Sequence, residues 1–224
     1  MRAKTDTGAN LDIGLLLYPG VQRAAVHGLA DLFLVANRVA AELGAVELPH
    51  IRVSCWQADE TGQLLPASDN SAVTLPGLRV LIIPPSLESA PQAALLERHR
   101  APLCLLHGRG TVLASVCIGV FFIAASGLLD GRPACTHWNY VHALAQRFPR
   151  VRVEAQQPLL DDGDIVTSAG LMAWTALGLR LLERFFWGRR WLRRPPAIWL
   201  SIRSRRRCPA LCSTRAWTTA TRPC

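Results

Sequence analysis

Residues 111–129, TVLASVCIGVFFIAASGLL, run for 19 positions without a charged side chain. A stretch of this kind must be kept from water, either in a bilayer, where a span needs about 20 residues, or in a protein core. Its internal order favours the core. TVLASV reads as a buried strand, a helix opens at Ile118 and ends at Gly127, and the charged turn Asp130-Gly131-Arg132 closes the unit. A strand buried on both faces needs neighbours, so the rest of the chain should supply further strands and the helices that cover them.

Those elements are present in alternation. Residues 11–18 form an apolar run closed by Pro19-Gly20, and residues 24–44 carry helical spacing. Residues 51–56 and 79–83 read as strands on either side of a polar loop or hairpin at 59–71, and Pro84-Pro85 stops the second of them. A short helix is expected at 90–100. Beyond the central unit come a short strand at 133–136, a helix at 139–147, strands near 151–154 and 164–168, and a helix at 171–185. This order predicts an α/β fold, a doubly wound, mostly parallel sheet with helices on both faces.

Charge divides the chain in two. The formal net charge is +9, yet ten of the 25 basic residues lie in 188–224 and no acid follows Glu183, so residues 1–187 carry a net charge of −1. The basic character therefore belongs to the end of the chain and says nothing about a polyanion-binding body. Cysteines divide likewise: Cys55, Cys104, Cys117 and Cys135 are scattered without metal spacing, while Cys208, Cys212 and Cys224 sit in the basic segment. An odd count, no CxxC pair and no apolar leader predict a reduced, cytoplasmic protein that holds no metal and no cofactor.

In an open α/β sheet chemistry gathers at the carboxyl ends of strands, and the residue between TVLASV and its helix is Cys117. Ser115-Val116-Cys117-Ile118-Gly119 has the form of a nucleophile elbow, with a small residue two positions on. A helix amino terminus beside the thiol would favour the thiolate, which predicts a pKa below the usual value near 8.5. A buried structural cysteine is the alternative. His137, in Thr136-His137-Trp138 at the end of the next short strand, is the candidate base.

LASVCIGVFFIAASGLLDGRPACTHW, followed by DDGDIVTSAGLMAWTALGLRLLER and preceded by YPGVQRAAVHGLADLFLVANR, resembles the ThiJ/PfpI (class I glutamine amidotransferase-like) superfamily over residues 11–185. Within it, the sequence is similar to the GlxA-type branch of AraC-family transcriptional regulators. The resemblance implies a flavodoxin-like domain that forms homodimers, with Cys117 and His137 lining a small pocket. Ser86, Ile118, Trp138, His27 and Asp31 are the candidate ligand-binding residues around them.

Two departures from the superfamily's enzymes bear on function. Ala25 stands where an acid would hold the cysteine, and the turn that supplies an oxyanion-binding amide reads Pro84-Pro85-Ser86, in which only Ser86 retains an N–H to offer. These departures fit the sensing and dimerising domain of a regulator, with an unknown small-molecule effector. The rival reading is a cysteine-dependent hydrolase or isocyanide hydratase. The resemblance stops near residue 186, giving a division into a tail at 1–10, a domain at 11–186 and a basic tail at 187–224.

That last segment has no heptad or amphipathic spacing, and its Arg, Pro, Trp, Cys, Ser and Thr are what GC-rich DNA yields when read out of frame. Residues 1–187 have one lysine, Lys4, against 14 arginines, which fits a GC-rich gene. A frameshift before the helix-turn-helix module of a regulator is therefore expected, with no membrane partner and no specific nucleic-acid binding by the chain as it stands.

Overall fold

The computed structural model describes residues 10–187 apart from 46 and 68–72. The expectations placed on 1–9 and 188–224 lie outside the described residues. In chain order the elements are β1 (Asn10–Leu17), α1 (Arg23–Glu42), β2 (His50–Ala58), β3 (Leu64–Pro66), β4 (Val80–Ile83), α2 (Ala93–Gly108), β5 (Val112–Val116), α3 (Val120–Ala125), β6 (Pro133–Ala134), α4 (Val141–Arg147), β7 (Arg152–Val153), β8 (Leu159–Asp161), β9 (Ile165–Ser168) and α5 (Trp174–Leu181).

The main sheet has the order β3-β2-β1-β4-β5-β9-β8. Its five central strands are parallel, and β3 and β8 add antiparallel edges. From β1 the chain steps one way across the sheet to β2, and from β4 it steps the other way to β5. Right-handed crossovers then put α1 and α2 on opposite faces. α1 packs with α5, and α2 with α3. This is the doubly wound, flavodoxin-like arrangement, and the point where strand order reverses lies between β1 and β4.

Residues 111–129 are core. All of β5 is buried, as are Val120 to Ala124 of α3. α1 is the one helix among the described residues long and apolar enough to cross a membrane by length and composition, but Ala25, Val26, Leu29, Phe33, Ala36 and Ala40 face the interior. Two glycines allow α5 its approach to α1: a Cβ on Gly28 would lie 2.4 Å from the Trp174 ring, and one on Gly178 would lie 2.4 Å from Leu32 Cδ2. Asp12, buried on β1, is neutralised by its register partner on β2 through two 2.6 Å hydrogen bonds from the Arg52 guanidinium.

Several boundaries differ from those read in the sequence. The helix expected at 90–100 is α2, starting at Ala93 and running through Pro102 to Gly108. Proline lacks the N–H that would reach the Arg98 carbonyl, and the turn at Gly62 packs against that oxygen, where a Cβ would lie only 2.6 Å away. Burial of Leu96, Leu103 and Leu106 along one stripe carries the helix past the proline. The helix expected from Ile118 begins as a 3-10 turn at Cys117–Gly119 and becomes α-helical only at Val120. The strand expected at 133–136 shortens to β6 and pairs with β7 outside the main sheet. β8 was not anticipated. The last helix starts at Trp174 and passes into a π-helical turn at Leu182–Trp187.

Candidate functional site

Cys117 is the one non-glycine residue with positive φ, at 56°, among the described residues. Val116 is still extended, so the chain reverses direction within one residue at the carboxyl end of β5. Left-handed backbone costs an L-residue roughly 1–2 kcal/mol and persists only where the surroundings fix it. Two contacts do so. A Cβ on Gly119 would stand 2.6 Å from the Ile83 carbonyl oxygen, so glycine lets the turn close onto β4. On the other side Thr136 Oγ1 donates to the Cys117 carbonyl at 2.9 Å. Behind the turn Ser168 Oγ donates to the Ser115 carbonyl, tying β9 to β5.

The thiol itself differs from expectation. Cys117 is 3% exposed, and burial pushes its thiol pKa up, with the backbone amides of Ile118 and His137 opposing that rise only in part. The expected depression does not occur, because desolvation of a thiolate outweighs a helix-terminus effect of a few tenths to 1 kcal/mol. Burial thus favours the protonated thiol over the thiolate.

The side chains around the turn come from three strand ends at the strand-order reversal. Tyr18, which follows β1, is buried, with its hydroxyl donating to the Pro84 carbonyl at 2.5 Å and its ring 4.7 Å from that of Phe122. Burial raises its phenol pKa far above the usual value, and negative charge on Cys117 adds to the rise. The sequence reading missed Tyr18. Its position directly before Pro19-Gly20, at the carboxyl end of the strand beside the reversal, was the available signal.

After β4, Pro85 accepts the Gln22 amide at 2.8 Å, while Ser86 Oγ donates to the Gly20 carbonyl at 2.6 Å and accepts the Glu88 amide at 3.0 Å. The Ser86 hydroxyl is thus committed to holding the β1–α1 turn. Ser86 and Ile118 line a cleft of about 390 Å³ with Tyr18, Pro19, Glu88 and Arg98.

The other candidates lie apart from that cleft. His137 supplies its backbone amide to the thiol, whereas its Nδ1 accepts the Asn139 amide at 3.2 Å and its ring packs with Trp138 and Tyr140. Trp138 is 72% exposed. His27 is exposed on α1 and lines a neighbouring cleft. Asp31, one turn further along, is exposed and enters no ion pair among the described residues. Ala25 is fully buried in the first turn of α1. No cluster of three or more His, Cys, Asp or Glu able to hold a metal occurs among the described residues.

The fold and this turn define a flavodoxin-like α/β domain organised around a strand-to-helix cysteine. The chain belongs to the DJ-1/PfpI family, whose sequence profile matches residues 88–184. It is 32% identical to a Streptomyces lividans protein of the cpoL 5' region, over 60% of this chain and 93% of that one. It is 27% identical to the HTH-type transcriptional regulator ArgR of Pseudomonas aeruginosa, over 77% of this chain and half of the regulator. It is 26% identical to the isonitrile hydratase of Pseudomonas putida, over 77% of this chain and 71% of the hydratase. Among solved structures, an AraC family transcriptional regulator from Pseudomonas putida superposes with a TM-score of 0.60 at 20% identity, covering 78% of this chain and 92% of the other.

Proposed function

We propose that residues 11–186 are the effector-sensing, homodimer-forming domain of a GlxA-like, AraC-type transcriptional regulator acting in the cytoplasm. The observation that carries this reading is the setting of Cys117: the strained turn is kept, but the residue is enclosed, and burial pushes its thiol pKa up. A nucleophile needs the opposite. Ala25 and Pro85 remove the acid and one amide donor that hydrolysis would use. The similarity to ArgR over half of that protein's length supports a regulator's domain. In this reading the effector sits in the cleft of Ser86, Ile118 and Tyr18, and residues 187–224 are an out-of-frame continuation.

The test is a panel of amides, isocyanides and 2-oxoaldehydes assayed both for turnover and for binding to the full chain. Saturable binding without turnover is expected, together with a dimer by light scattering. A gel-shift salt series on unrelated duplexes should show only weak, salt-sensitive DNA binding, since no recognition helix is expected in the arginine-rich tail. The nucleotide sequence across codons 183–224 tests the frameshift directly.

A second reading, an isocyanide hydratase, is favoured by the left-handed Cys117 and by the 26% identity to the isonitrile hydratase. Water addition to an isocyanide, abolished by Cys117→Ala, would establish it in place of the first.

A further inference from the structure

A second cleft, of about 580 Å³, adjoins the one lined by Ser86 and Ile118 and shares Tyr18, Pro19, Leu95 and Arg98 with it. One wall is the first turn of α1, with Arg23 and His27, and the other is α2, with Arg98. The carboxyl end of β2 closes the edge with Cys55 and Gln57, and His99 lies among the lining residues. The titratable groups facing it are therefore Arg23 and His27 from α1, Tyr18 from the end of β1, Cys55 from β2, and Arg98 and His99 from α2. No carboxylate lines it among the described residues. Neither arginine is engaged in an ion pair among those residues, whereas Arg52, Arg132, Arg180 and Arg184 all are.

His99 supplies an independent observation. It is buried, its ring meets Phe122 edge-on, and Nδ1 lies 2.7 Å from the Leu95 carbonyl. That oxygen can only accept, so Nδ1 carries the hydrogen and Nε2 presents a lone pair. Burial lowers the His99 pKa and keeps the ring in this neutral form. Nε2 is enclosed and has no partner among the described residues, which is unusual for a buried polar atom. The cleft thus offers unpaired cations at its mouth and an unsatisfied acceptor in its lining.

We propose that this cleft binds a small carboxylate carrying an O–H or N–H donor, its carboxylate held by Arg23 and Arg98 and its donor taken by His99 Nε2. The volume falls within the range of small-molecule sites, about 300–1,000 Å³, and the position at the carboxyl ends of β1 and β2 is where α/β sheets collect ligands. The inference goes beyond the function proposed above, which places the sensed molecule against Ser86 and Ile118, because His99, Arg23 and the end of β2 line this cleft and not that one.

The test is calorimetric titration of the full chain with L-malate and L-lactate, each against its deoxy counterpart, succinate and propionate. Saturable binding of the hydroxy acids is expected, weakened about tenfold by Arg98→Gln and by Arg23→Gln, as loss of a charge-assisted hydrogen bond would give. Both arginines are exposed, so these variants should fold. His99→Phe should abolish the preference for hydroxy over deoxy acid, and Cys117→Ala should leave binding unchanged. No saturable binding of any of the four acids, affinity unaltered in both arginine variants, or binding lost in Cys117→Ala would each overturn the assignment. Equal affinity for the hydroxy and deoxy acids would overturn the role of His99. Failure here leaves the elbow-cleft reading standing, because that reading is tested by other ligands and by turnover.

Discussion

Replacing Gly119 by alanine separates two reasons for a glycine. Its backbone, at φ −55° and ψ −24°, is ordinary right-handed helix that alanine adopts freely. Conformation therefore favours the substitution by up to about 1 kcal/mol. Space opposes it. The added Cβ would lie 2.6 Å from the Ile83 carbonyl oxygen, 3.1 Å from Ile83 Cγ2 and 3.3 Å from its carbonyl carbon. Ordinary contact begins near 3.4 Å, so the turn and β4 would have to part by close to 0.8 Å. Neither side can yield by a rotamer change, since the nearest atom is backbone and Ile83, at the end of β4, is held in register with Ser115 of β5. Overpacking of this kind costs about 1–3 kcal/mol, and a rigid backbone partner puts the cost at the upper end. A net loss of about 2 kcal/mol lowers the melting temperature by roughly 4–8 °C for a domain of this size. Urea unfolding followed by circular dichroism measures it, with Gly108→Ala as the control, because a Cβ there meets nothing within 4 Å. Gly119→Ala should also raise the rate of Cys117 alkylation as the turn lifts. A Gly119→Ala protein at least as stable as the parent, beside a Gly108→Ala that shows only the helix preference of alanine, would refute the tight turn.

Iodoacetamide at neutral pH should modify the half-buried Cys55 and Cys104 before Cys117, whose rate should climb only above the usual thiol range; peptide mapping showing Cys117 modified first would contradict its burial. Arg132 first, and then His107, hold the Asp164 carboxyl well below the usual carboxylate range. A depressed folded-state pKa contributes stability above the unfolded value, about 3.9, and loses it as pH falls through the folded one. Asp164→Asn should therefore destabilise at pH 7 and approach the parent below pH 3, a convergence that melting curves across that range would reveal or exclude. Tyr18→Phe removes the donor to the buried Pro84 carbonyl, a loss of about 1–3 kcal/mol in urea titration if that oxygen finds no other partner.

The alternation of strands and helices, the core character of 111–129 and the cysteine turn were legible in the sequence, because each depends on local spacing. A buried strand, a small residue two places beyond Cys117 and a charged stop at Asp130 are neighbours along the chain, so hydrophobic period and turn chemistry report them directly. Sequence also showed that the positive charge belongs to the final segment. It could not show that α2 continues through Pro102, since that depends on leucines 103 and 106 meeting the core, nor that β3 and β8 add antiparallel edges to the sheet. It placed His137 beside the thiol but not the fact that its amide, rather than its ring, does the stabilising. Tyr18 reaches the site, and Arg23 and Arg98 come to share a cleft with the unsatisfied His99, only after β1 and β4 pair and the two crossovers carry α1 and α2 to opposite faces. The upward push on the Cys117 thiol pKa was decided there too. Ionisation depends on how much water the assembled structure leaves around the sulfur, and neighbours along the chain do not set that quantity.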